Sequence, residues 1–90
     1  MLATIAAEDA PDMMRELRRE VADGDMPEVA RTSHALKGLL SAFETKEPVS
    51  GLEALIEAAR ENDPVTVASL HQKIAPSLAD LLEEIRQLAS

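Results

Sequence analysis

The chain has 90 residues, 17 Asp and Glu against 9 Lys and Arg, a formal net charge of −8 and 46% apolar residues, proportions expected of one small globular domain over 1–90. Its one aromatic residue is Phe43 and it has no cysteine, which excludes disulfides, thiolate metal sites and cysteine nucleophiles and argues against a β-sandwich core. Basic residues scattered among an excess of carboxylates also exclude the clustered cationic surface that nucleic-acid binding requires.

Turn formers and helix-start residues coincide at Gly24-Asp25, Thr45 to Pro48 and Asn62-Asp63-Pro64, dividing the chain into four apolar-periodic segments. The first is predicted to run from Leu2 to about Ala22, with Leu2, Ile5, Ala6, Met13, Leu17 and Val21 on its buried stripe. Pro11 either kinks this helix or ends a short one and opens another. The second opens with Asp25 as N-cap, Pro27 in the first turn and Glu28 three residues after the cap. It is predicted to reach Glu44, turning Val29, Ser33, Leu36, Leu40 and Phe43 inward.

For the third helix both Pro48 and Ser50-x-x-Glu53 offer a start, Gly51 is a poor helix former, and Leu52, Leu55, Ile56 and Ala59 give the buried side. The fourth starts at Asp63 as N-cap with Pro64 in its first position. Its Val67, Leu70, Ile74, Leu78, Leu81, Ile85 and Leu88 alternate in threes and fours, a bundle seam. Pro76 predicts a kink near Gln72, whose carbonyl loses its helical partner. Short links between such helices give an all-α, antiparallel up-down four-helix bundle. No apolar run approaches the ~20 residues that span a bilayer, and the N-terminal residues lack the basic-then-apolar layout of a signal peptide, so a cytoplasmic chain is expected.

At about 100° per residue, His34 projects roughly 140° from the inward line through Leu36 and Leu40, which puts it in solvent. Ala30 one turn before, Gly38 one turn after, and then Ser41 and Thr45 surround it with small side chains. A glycine in mid-helix costs roughly 1 kcal/mol relative to alanine, and clearance for another protein's approach to the imidazole accounts for Gly38. Lys37 can swing its ammonium beside the ring, which is unhelpful to a bare imidazole and favourable to one carrying a phosphoryl group. Neutral imidazole is also a competent nucleophile near cellular pH. An exposed histidine beside a lysine equally describes an ordinary solvated helix face, so residue types alone leave both readings open.

The other candidates carry less. His71 flanks the seam of the fourth helix, a boundary packing position, and two histidines without a Glu-x-x-His or His-x-x-x-His pair predict no metal site. Glu16, Glu20, Glu53, Glu57, Glu83 and Glu84 fall on polar faces or caps, where solvation explains them. Gly24, Gly38 and Gly51 form no phosphate-cradling loop, and no nucleotide-binding motif is present.

The stretch Ser33-His34-Ala35-Leu36-Lys37-Gly38 resembles the phosphoacceptor motif of histidine-containing phosphotransfer (HPt) domains, four-helix bundles with an AHxLKG-like sequence. The likeness extends along nearly the whole chain. Glu8-Asp9-Ala10-Pro11-Asp12 through Leu17 to Ala22-Asp23-Gly24-Asp25 is similar to the family's first helix and its Gly-Asp turn. Phe43 resembles its aromatic near the end of the active helix, and Glu57 to Asp63 resembles the close of its third. The chain departs from the pattern at Leu39, where a small residue is usual, at Glu44, where glycine is common, and at Pro48 and Gly51, where apolar helix residues are frequent.

The resemblance implies that His34 is the phosphoacceptor, that Lys37 stabilises the phosphoryl charge and that Gly38 gives steric access. The phosphoryl group would come from the aspartyl phosphate of a response-regulator receiver domain and pass to another receiver aspartate, with receivers of response regulators or of a hybrid histidine kinase as partners. Ala30, Arg31, Leu39, Ser41 and Ala42 would border the docking surface, Leu39 being either core edge or contact and Arg31 either contact or solvated surface. No cofactor is implied for this chain, Mg²⁺ belonging to the receiver, and no autokinase activity. A monomer is expected, because one internal core accounts for the apolar residues. Two alternatives stand beside this: a helical interaction module that is never phosphorylated, and the phosphoacceptor domain of a chemotaxis-type histidine kinase.

Overall fold

The computed structural model describes the backbone of residues 2–89 and the side chains of residues 4–89. Four helices follow one another, α1 (Leu2–Asp23), α2 (Met26–Leu40), α3 (Gly51–Arg60) and α4 (Pro64–Ala89), with no strand among the described residues. Both α1 and α3 pack against α2 and α4. Two-residue and three-residue links at Gly24-Asp25 and 61–63 reverse the chain, so the ring is an antiparallel up-down four-helix bundle. Its centre is aliphatic: Leu17, Val29, Leu36, Leu40, Leu52, Leu55, Val67 and Leu78 are all fully buried.

The two short links share one construction. At the end of α1, Gly24 adopts a left-handed φ of 72° while its N–H donates to the Val21 carbonyl and the Asp25 N–H reaches back to the Glu20 carbonyl. At the end of α3, Asn62 at φ 56° does the same, its N–H donating to Ala59 and that of Asp63 to Ala58. Both are Schellman closures that satisfy carbonyls left over at a helix C-terminus. In each, the next residue is an aspartate that caps the following helix: Asp25 accepts from the Glu28 N–H at 3.4 Å and Asp63 from the Thr66 N–H at 3.1 Å. The hydroxyl and N–H of Thr66 hold the Asp63 carboxyl below its ordinary range.

Several expectations need correction. Of the two readings of Pro11 the split is excluded, since it lies inside an uninterrupted α1, whereas Pro76 lies inside one continuous α4, as expected. Pro76 and Gln72 both face solvent, where water can satisfy the carbonyl that lost its helical donor. Helix α2 ends at Leu40 rather than Glu44. Beyond it the Glu44 carboxylate accepts from the N–H groups of Thr45 and Lys46, both at 2.9 Å, and Thr45 lies outside the helix that carries His34. The connection is then pinned by buried Val49 and half-buried Phe43.

Helix α3 starts after Ser50 without the anticipated capping box, since the Ser50 hydroxyl donates to Glu47 and Glu53 points elsewhere. Gly51 suits this start because a Cβ would come within 2.9 Å of a Glu47 carboxylate oxygen and 3.1 Å of an Ile74 methyl on α4. Ile5 and Leu88, placed on buried stripes by periodicity, are 48% and 70% exposed; the Leu2 side chain lies outside those described. Glu20 is not on a polar face but buried, and accepts a hydrogen bond from the Thr32 hydroxyl of α2 at 3.0 Å.

Candidate functional site

Helix α2 positions the site by dividing one sequence stretch between two environments. Thr32, Ser33 and Leu36 are buried, whereas His34, Ala35 and Gly38 are exposed, the alternation that a 100° step imposes on an amphipathic helix. The imidazole of His34 therefore stands in solvent midway along α2, on a backbone fixed from behind by packed side chains. His34, Lys37, Gly38 and Ser41 line one shallow depression of about 150 Å³. The Ser41 hydroxyl donates to the Gly38 carbonyl at 3.0 Å, supplying a partner for one of the carbonyls left over at the end of α2.

Gly38 has no internal explanation. A Cβ placed there meets no atom within 4 Å, so no contact inside the chain demands a hydrogen in place of a methyl. Its open face is therefore available to whatever approaches the imidazole from outside, at the expense of helix propensity.

Lys37 does not lie free beside the ring. Its ammonium donates to the Glu53 carboxylate of α3 at 2.8 Å. That hydrogen bond, then the lysine charge itself, with smaller contributions from Arg60 and His34, holds the Glu53 carboxyl below its ordinary range. Glu53 is the residue that sequence reasoning missed. Its placement depends on the register of α3 against α2, which the ten-residue connection between them conceals.

The remaining candidates separate. Ser41 and Ala42 are exposed at the end of α2, close in sequence to Gly38. Arg31 is exposed and ion-paired to Glu28, its Nε donating at 2.7 Å. Leu39 and Ala30 are half-buried and pack against the core, each leaving part of its side chain in solvent. His71 is half-buried in a depression between α1 and α4 with Met14, Arg15 and Arg18, where burial and then the Arg18 charge lower its pKa. It takes the boundary role expected of it. Among the described residues no three His, Asp or Glu side chains gather as metal ligands, and none of the helices described is long and apolar enough to cross a membrane.

The family model described as "Hpt domain" matches residues 1–89. The chain belongs to the Hpt family. Membership makes it a histidine-phosphotransfer module of phosphorelays that interacts with receiver domains of two-component systems. Comparison with curated proteins and with solved structures gives no significant match.

Proposed function

We propose that residues 1–90 act as one phosphotransfer domain in which His34 carries the phosphoryl group, accepting it from a receiver aspartyl phosphate and delivering it to another receiver aspartate. The exposed imidazole beside the open face of Gly38, with Lys37 in the same depression, carries this reading. The lone pair of the unprotonated ring nitrogen, the one farther from the backbone, attacks phosphorus. An N–P bond forms as the acyl P–O bond breaks, the receiver carboxylate leaves with that electron pair, and the proton on the other ring nitrogen stays on the resulting phosphoimidazolium. Delivery is the same step reversed onto a second carboxylate.

Little covalent assistance is needed from this chain, because phosphoryl transfer depends mostly on positioning and charge neutralisation. The buried face of α2 fixes where the imidazole stands, Gly38 admits the receiver, and the Lys37 ammonium answers the charge that arrives. Mg²⁺ on the receiver would neutralise phosphoryl charge on the far side of the transfer. Three separated glycines and no nucleotide motif support a carrier with no autokinase activity. Its partners are receivers of response regulators or of a hybrid histidine kinase, and its working form is a cytoplasmic monomer.

The test incubates the chain with a receiver bearing labelled aspartyl phosphate. Acid-labile label should appear on the chain and be absent from His34→Gln, with the unfolding midpoint unchanged. Receiver binding without label on the wild type would instead identify a non-phosphorylated interaction module.

A further inference from the structure

The Lys37–Glu53 pair has a consequence for a phosphorylated site. Lys37 is the cation that lines the His34 depression, and its Nζ is already engaged by a carboxylate on the neighbouring helix at 2.8 Å. Both side chains retain substantial exposure, 36% for Lys37 and 54% for Glu53, so either can turn away without opening the core. An ammonium has three donors and no acceptor. A phosphoryl group arriving on His34 brings about two negative charges and three strong acceptor oxygens into the depression that Lys37 lines.

We propose that Glu53 is a positioning residue that competes with the phosphoryl group for Lys37 and thereby lowers the fraction of the domain that holds phosphate. This rests on the carrier reading above. In the unphosphorylated domain Glu53 keeps the ammonium paired and near the imidazole. In the phosphorylated domain the ammonium either leaves Glu53 for the phosphoryl oxygens, losing the pair, or bridges both, leaving a carboxylate near a dianion. Each outcome raises the free energy of the phosphorylated state relative to a domain with a neutral side chain at position 53. The device favours release: a carrier that must hand its phosphate onward gains nothing from a deep well on His34.

The experiment measures the equilibrium partition of label between a phosphorylated receiver and the full chain, for wild type, Glu53→Gln, Lys37→Met and the double variant. Glu53→Gln should shift label toward His34 by roughly two- to five-fold, the size an exposed ion pair can supply. The shift should vanish in the Lys37→Met background, since the competition acts through that ammonium. An unchanged partition in Glu53→Gln, or an equal shift with and without Lys37, overturns the proposal while leaving the carrier reading in place. No label on the wild type overturns both.

Discussion

The two glycines at positions 24 and 38 face equally open space, since an added Cβ meets nothing within 4 Å at either, yet their substitution should have opposite effects. At Gly38 the backbone is ordinary helix, so Gly38→Ala should stabilise the fold by roughly 0.5–1 kcal/mol through helix propensity and unfolded-state entropy. Gly38→Gln should also fold, and should slow transfer from a receiver by about tenfold or more, because a small displacement of reacting atoms is heavily penalised. Urea titrations and a single-turnover transfer assay read the two effects separately; a Gly38→Gln domain that transfers at the wild-type rate would remove clearance as the reason for this glycine. His34, Lys37 and Gly38 were legible as a cluster because they fall within about one turn of a single helix, which fixes their relation. Glu53 was not, because a contact between helices depends on register.

Among the elements, the turns were the most legible parts. Gly-Asp and Asn-Asp-Pro each supply a residue tolerant of left-handed backbone followed at once by a capping carboxylate, and both closures formed as those residue types dictate. Gly24 at φ 72° is the position where glycine's freedom is used. Gly24→Ala should therefore cost about 1–2 kcal/mol with no loss of any contact, seen as a lower urea midpoint at an unchanged slope. The end of α2 was misjudged for an equally local reason. Apolar spacing continues through Phe43, and nothing in periodicity reveals that the Ser41 hydroxyl will take the Gly38 carbonyl at the point where the helix stops. Val49, buried in the connection, belongs to no periodic stripe at all.

Across the whole molecule, unequal helix lengths decide what is covered. At ~1.5 Å per residue α1 and α4 run about 33 and 39 Å, while α2 and α3 run about 22 and 15 Å, and the long dimension of the bundle is 38 Å. The α1–α4 pair outlasts its neighbours at the end where α1 starts and α4 finishes, which is why Ile5 and Leu88 stay exposed despite their place in the pattern. Glu20 is the converse. Ala6, Ala10, Leu17 and Glu20 are buried and Met13 half-buried, steps of four, three, four and three that set the carboxylate on the α1 seam. One of its oxygens takes the Thr32 hydroxyl, while among the described residues neither the other oxygen nor the buried Ser33 hydroxyl has a partner.

Burial, opposed by the Thr32 bond and reinforced by the charges of Glu28 and Glu16, raises the Glu20 pKa above its ordinary 4.5. The native state then holds this proton more tightly than the unfolded chain. Its contribution to stability is complete below pH 4.5 and is lost as pH rises through the native value. Glu53, Asp63 and Glu83, whose pKa values are lowered, titrate with the opposite sign, so the pH profile of the wild type alone mixes the two. Glu20→Gln isolates one of them, because its amide still reaches Thr32 and does not ionise. The stability of this variant relative to wild type should become more favourable as pH rises past 4.5 and level off once the native carboxyl has ionised, measured by urea unfolding at each pH; a difference independent of pH would mean that Glu20 titrates alike in the folded and unfolded chain, and that its burial carries no charge penalty.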